Sequence, residues 1–298
     1  MSISSSQEKD ELARIQEATD YAVTRAENGF IMGHFFNCSL SSVFQPVFDA
    51  KTHSVAGHAA YIRSVMNEEN PFSPWKVLSL GEGDAPLVRF DRLCRAVHTL
   101  NYFSGSAHEG NLFVTVQPRL LEAVKDDHGR AFKRILDIIG AETSRVVIEI
   151  PAEANRNWKL LKHVISNYRS HGYRIAINHN GTGDDWVAEL ASLYPLYPDV
   201  VWLEAPVLQR LGDTGPLVDA IHHFGAQVLF REIETARQLT GTVRAGADLL
   251  QGRFLGIPAQ AIEFDLLLPA TATEYERSAQ ASPGRVRTLQ YYIDAEGI

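Results

Sequence analysis

The feature that most limits how this chain can fold is an alternation, running from Ser42 to Pro258, of short β-branched or aromatic runs with longer segments of helical period. The runs are Ser42 to Phe48, Leu112 to Val116, Val146 to Ile150, Arg174 to Ile177, Val200 to Leu203 and Gln227 to Phe230. Several are apolar at consecutive positions, as strands of a parallel sheet must be when both faces are buried. Between them, Trp158, Leu161, Val164, Ile165 and Tyr168 share one helical face that stops at Gly172. Leu217, Val218, Ile221 and Phe224 repeat the pattern ahead of Gly225, and glycine is the preferred residue just past a helix end. Strand and helix in this order build a parallel sheet, either closed as a β/α barrel or open and doubly wound. No Gly-x-Gly-x-x-Gly follows an early run, so the usual mark of a dinucleotide site in an open sheet is missing and the barrel is favoured.

Of the 298 residues, 45% are hydrophobic, enough to bury one large core. The formal charge is -8, from 36 acidic and 28 basic residues without a dense Lys/Arg run, so no direct nucleic-acid partner is expected. Cys38 and Cys94 lack any ligand spacing and make no disulfide framework, which fits a reducing, cytoplasmic setting. Met1 to Asp10 is polar with no apolar signal segment behind it, and no run approaches the ~18 apolar residues of a membrane span, so neither export nor a membrane is expected. From Gln7 to Asn28, Leu12, Ile15, Ala18, Tyr21, Ala22 and Ala26 recur at three- and four-residue steps, predicting an amphipathic helix. The division expected is a helical extension over 1–38, a barrel over 39–262, and a tail over 263–298 that docks on the barrel, Val286 to Ile293 being its most apolar stretch.

A β/α barrel gathers its chemistry where its strands end, so those positions carry the functional information. The first run, Val43-Phe-Gln-Pro-Val-Phe-Asp49, is followed by Val55-Ala-Gly-His-Ala-Ala-Tyr-Ile-Arg63 and Leu112-Phe-Val-Thr-Val-Gln-Pro118. Val146-Val-Ile-Glu-Ile150, Ile175-Ala-Ile-Asn-His-Asn-Gly-Thr-Gly183 and Val200-Val-Trp-Leu-Glu204 come next, then Phe230-Arg-Glu-Ile-Glu-Thr235 and Leu250-Gln-Gly-Arg-Phe-Leu-Gly-Ile-Pro258. In this order and spacing the series resembles the EAL family of cyclic-di-GMP phosphodiesterases. The family's Glu-Ala-Leu, Val-Asn-Val-Ser, Glu-Ile-x-Glu, Asp-Asp-Phe-Gly-Thr-Gly, Leu-Lys-Ile-Asp, Ala-Glu-Gly-Val-Glu-Thr and Val-Gln-Gly-Tyr motifs fall on the second to the eighth of these segments. The resemblance implies a TIM-like β/α barrel of the EAL type.

It also implies where metal ions would be held, and there the chain departs from the pattern. Phosphodiester hydrolysis needs divalent cations on carboxylate and amide oxygens to ionise a water and to offset phosphoryl charge. At the positions where the family has its metal ligands, with an assisting Lys and Gln, this sequence has Ala59, Thr115, Glu149, Asn178, His179, Arg231, Trp202 and Gln251. Only Glu149 and Gln251 match. Ala59 has no ligand atom, Thr115 offers a neutral hydroxyl, and Asn178 and His179 replace two carboxylates. Trp202 stands for the Lys, and Arg231 sets a fixed positive charge where a carboxylate belongs.

The expectation is therefore a chain without enzymatic activity and without bound magnesium or another cofactor. By resemblance Gln45 and Arg63 touch the dinucleotide, and Gln45, Pro46, Arg63, Glu149, Arg231, Glu234 and Gln251 are the candidate nucleotide-binding residues. The simpler readings are an Arg231–Glu149 ion pair and a helix start at Glu234, where the helix dipole favours an acid. Family members with broken metal sites imply a regulatory role: binding a protein partner such as a transcription regulator, with or without cyclic di-GMP as the signal, or serving as its receptor. A third reading, a phosphodiesterase with a rebuilt site, has Glu153, Glu204 and Glu232 as its candidates. A homodimer is compatible with the family. The short segment ahead of the barrel leaves no room for a GGDEF domain, so signal input is expected from that segment, the tail or another chain.

Overall fold

In the computed structural model, the residues described are 12–17, 19, 21–36, 38–65, 84–103, 110–123, 127, 129–150, 157–179, 186–206 and 214–268. Ten strands form one sheet: β1 Val23–Arg25, β2 Ile31–Phe35, β3 Cys38–Asp49, β4 Val55–Val65, β5 Asn111–Thr115, β6 Val146–Ile150, β7 Arg174–Asn178, β8 Val200–Glu204, β9 Gln227–Arg231 and β10 Leu249–Leu250. The helices are α1 Ala85–Phe103, α2 Pro118–Ala123, α3 Arg130–Ile139, α4 Trp158–Ser170, α5 Trp186–Leu193, α6 Gly215–His223 and α7 Ala236–Arg244.

Strands β3 to β10 close into an eight-stranded barrel, because β3 pairs both with β4 and with β10. The β/α barrel expected from the alternation is present, with one change in its sheet. The six pairings from β4 to β10 are parallel, whereas β3 runs antiparallel to both of its neighbours. The cause is local: β3 and β4 are joined by a tight turn in which the Asp49 carboxylate accepts from the amides of Lys51 and Thr52, and a connection that short can only reverse the chain. Strand β6 is buried at all five positions and β7 at four of five, as the apolar runs require. Helix α4 starts at Asn157, whose side chain accepts from the Leu160 amide, and Gly172 follows its end with φ +87°. Leu161, Val164, Ile165 and Tyr168 are buried as their spacing predicts, but Trp158 is exposed.

The helix expected over Gln7 to Asn28 is corrected. Residues 12–17 are helical and bury Ile15, but Val23–Arg25 is a strand paired antiparallel with Ile31–Phe35, which continues the sheet beside β3. The reversal occurs at Asn28-Gly29, where Gly29 takes φ +85° and Asn28 Oδ1 accepts from the Phe30 amide. Within the helical extension expected over 1–38, the described helical residues are thus 12–17 and 19, and two strands follow them. At the other end, Phe264 lies against His58 and Leu267 bridges to Ser54, so the chain packs on the barrel as far as Leu268. The remaining tail, with Val286 to Ile293, lies outside the described residues, as do Glu153 and the Gly181 to Gly183 turn.

Candidate functional site at the barrel mouth

Side chains alternate across a strand, so each barrel strand sends every second residue into the lumen. One lumen layer is apolar: Val47, Ala59, Phe113, Val147, Ala176, Val200, Leu229 and Leu249 pack together as a single cluster. Two residues further along each parallel strand stand Tyr61, Thr115, Glu149, Asn178, Trp202, Arg231 and Gln251. Two residues earlier on the antiparallel strand stands Gln45. The period of two therefore gathers eight residues from eight strands into one polar ring above a dry floor.

The ring is joined by hydrogen bonds. Arg231 Nη1 lies 3.4 Å from Glu149 Oε1, and the Thr115 hydroxyl donates to Glu149 Oε2 at 2.6 Å. Arg231 Nη2 donates to the Tyr61 hydroxyl at 3.0 Å, as does Gln251 Nε2 at 3.0 Å. Tyr61 in turn donates to Gln45 Oε1, which also accepts from Gln251 Nε2 at 2.9 Å. The Gln45 amide is completed by its own donation to the Gly256 carbonyl at 2.9 Å. The guanidinium carbon of Arg231 sits 4.7 Å from the centre of the Trp202 ring, within cation–π range.

The ring's charges are confined. Glu149 is 1% exposed and the Arg231 side chain 14%. Burial by itself would pull the Arg231 pKa down, but the Glu149 carboxylate and then the Tyr61 hydroxyl outweigh it and hold the group above its ordinary value. The guanidinium therefore stays charged, and it lies against the one carboxylate of the ring. The ion pair expected between Glu149 and Arg231 is present.

The other sequence candidates divide. Gln45 and Gln251 are buried members of the ring. Gln251 is held there because the next residue is Gly252: a Cβ at that position would stand 2.1 Å from the Ile233 carbonyl oxygen, a backbone atom that cannot yield. Pro46 faces away from the lumen and packs on Gly256. Arg63, half-buried, is two residues beyond Tyr61 on the same face of β4, where that strand continues beside β3 past its last pair with β5. Glu234 is exposed and outside the ring, directly before Thr235, which caps α7 through a reciprocal bond with Gln238. His179 is buried one residue past Asn178, and its amide donates to the Trp202 carbonyl. Ala59 lies one layer lower, in the apolar floor.

Tyr61, which accepts two hydrogen bonds and donates a third, was not among the candidates read from the sequence. The signal that finds it is the strand period: Tyr61 is two residues on from Ala59, as Thr115 is from Phe113.

These side chains do not fit a divalent cation. Such ions take several oxygen ligands, mostly carboxylates, whereas the only carboxylate in the ring is engaged by Thr115 and by a permanent cation. Among the described residues, no three His, Cys, Asp or Glu side chains converge on one point. Nor is any described helix long and apolar enough to cross a membrane.

Comparison with known proteins agrees with this architecture. YkuI of Bacillus subtilis, an uncharacterized EAL-domain containing protein, is 25% identical over 262 residues, covering 83% of this chain and 62% of the relative. This chain therefore spans less than two thirds of that relative's length. The crystal structure of YkuI in complex with cyclic di-GMP and calcium superposes with a TM-score of 0.63 at 21% identity, over 85% of this chain and 64% of that one. A standalone EAL protein from Vibrio cholerae, solved with cyclic di-GMP bound, gives a TM-score of 0.61 at 19% identity, over 80% of this chain and 97% of that one. The profile of the EAL domain matches residues 33–258, from the strand that precedes the barrel to the segment after β10, and the chain belongs to the EAL domain family.

Proposed function

We propose that this chain is a non-catalytic regulatory member of the EAL family that acts by binding a protein partner, with cyclic di-GMP as its candidate signal. The observation that carries the reading is the Arg231 guanidinium in contact with Glu149 at 3.4 Å. A positive charge fixed beside the one ring carboxylate repels the cations that an EAL phosphodiesterase needs, and an arginine cannot lose its proton to relieve this. The Trp202 ring and the Tyr61 hydroxyl both contact that charge.

Two observations favour the variant of this reading in which the dinucleotide itself binds. Arg63 lies on the lumen face of β4 above the ring, where a phosphate would find a cation, and YkuI and the Vibrio cholerae protein were each solved with cyclic di-GMP bound. A rebuilt phosphodiesterase centre has less support: Glu204 is paired in register with Arg231, whose fixed positive charge stands on the neighbouring strand, and Glu232 is exposed beyond the ring.

The test is incubation of the purified protein with cyclic di-GMP and magnesium or manganese, with linear dinucleotide followed by chromatography and binding by titration calorimetry. No product is expected at any metal concentration. Binding that is the same with and without metal would identify a receptor, absence of heat would leave the protein partner as the sole ligand, and product formation would refute the proposal.

A further inference from the structure

Outside the barrel, between α1 and α3, a buried arginine is incompletely paired. Arg95 is 3% exposed; its Nε lies 2.7 Å from Asp91 Oδ2, and its Nη1 donates to the Tyr168 hydroxyl at 2.9 Å. Its third nitrogen, Nη2, is buried with no hydrogen-bond acceptor among the described residues. A charged donor left in that state is costly, so an acceptor from outside the chain is called for. Arg95 lines a small cavity together with Arg92, Asp91, Asp127 and Phe132, and Tyr21 joins the lining from the segment ahead of the barrel. The free space is about 10 Å³, room for one water-sized atom, and the nitrogen that Arg95 still has to offer there is Nη2.

The carboxylates of this lining already serve donors. Asp91 faces Arg95, and Asp127 accepts from the amides of Gly129 and Arg130 and lies 2.9 Å from His171 Nε2. The cations are not matched in turn. Arg92 is half-buried and makes no hydrogen bond or contact ion pair among the described residues, and Arg89, exposed one helical turn before it, is likewise unpaired. A water in the cavity would complete Arg95 but leave Arg92 without a counter-charge. An oxyanion serves both, since its oxygens match the donor fork that each guanidinium presents. We propose that this cavity binds a phosphate group, one oxygen entering between α1 and α3 to reach Arg95 and the others held at Arg92, at a site separate from the barrel mouth. With Tyr21 on the same lining, an occupied site ties the segment ahead of the barrel to α1.

The probe is inorganic phosphate, titrated calorimetrically into the full chain at neutral pH against sodium chloride of equal ionic strength. Saturable binding that chloride does not reproduce is expected, with a higher melting temperature in phosphate. Arg92→Gln is expected to reduce the affinity at least about tenfold with unchanged circular dichroism, whereas Arg63→Ala, at the mouth, should leave it unchanged. Crystals soaked in tungstate, an electron-dense analogue of phosphate, should show the anion between α1 and α3, which decides the matter even if Arg92→Gln fails to fold. Absence of saturable heat would mean that the cavity holds water only, and equal heat from chloride would mean screening rather than a site. Either result, binding lost in Arg63→Ala but kept in Arg92→Gln, or tungstate found only elsewhere, would overturn the assignment.

Discussion

Arg231 and Glu149 come from strands β9 and β6, separated in sequence by most of the barrel's second half, and meet over its apolar floor with Arg231 Nη1 3.4 Å from Glu149 Oε1. Removing one member of a buried pair leaves an uncompensated charge, which costs far more than the pair itself contributes. Arg231→Met is expected to lower unfolding free energy by about 3 kcal/mol in urea titrations at neutral pH. Adding Glu149→Gln removes the stranded charge, so the double variant should recover most of that loss. A double variant no more stable than Arg231→Met would show that the guanidinium acts through Trp202 and Tyr61 alone.

Tyr61 is the junction of the ring. Its hydroxyl serves Arg231, Gln251 and Gln45 together. Tyr61→Phe keeps the ring's packing and leaves these three partners each one hydrogen bond short in a buried site. A loss of about 1–3 kcal/mol is expected, read as a lower midpoint in chemical denaturation with an unchanged slope.

His98 lies inside the molecule, 5% exposed, with its Nδ1 2.8 Å from the Ser42 hydroxyl. Burial first, and then the nearby Arg95 charge, push its pKa down from 6.5 to about 3. In the unfolded chain the ring takes up a proton near its ordinary value, while in the folded chain it does not. The unfolded state therefore binds more protons below pH 6.5, and stability falls as pH drops from there toward 3, with full stability above. His98→Asn, which keeps a polar atom near the Nδ1 position, is expected to flatten the stability-against-pH curve between pH 6 and 4. An unchanged slope would assign the acid sensitivity to other groups.

Glu232 follows Arg231 with φ +57°, the left-handed region where a side chain crowds its own backbone. The EAL motif that this segment resembles has glycine there. Glu232→Gly should relieve about 1 kcal/mol of strain, partly offset by the added freedom of the unfolded chain, and raise the melting temperature by a degree or more. A lower melting temperature would mean that the Glu232 carboxylate contributes more through its attraction to Arg231 than its backbone costs.

Much of this molecule is legible in its sequence. Consecutive apolar residues at Val146 to Ile148 and Ile175 to Ile177 fit strands covered on both faces, and Gly172 and Gly225 follow the ends of helices as their spacing predicts. The order of the motifs placed Thr115, Glu149, Asn178, Trp202, Arg231 and Gln251 at strand ends, and a two-residue period along a strand is enough to point them all inward. What the sequence could not decide was long-range. Leu12 to Ala26 has helical spacing, but Val23 to Arg25 joins the sheet because the start of β3 extends beyond the barrel and offers β2, and through it β1, an edge to pair with. Local period cannot register an edge supplied by another strand. Tyr61 was hidden for the same kind of reason: nothing in its neighbours in sequence requires a hydroxyl there, and only closure of the barrel brings Gln45, Gln251 and Arg231 within reach of it. Local patterning fixes which residues face the lumen, and the closed sheet alone fixes which of them touch.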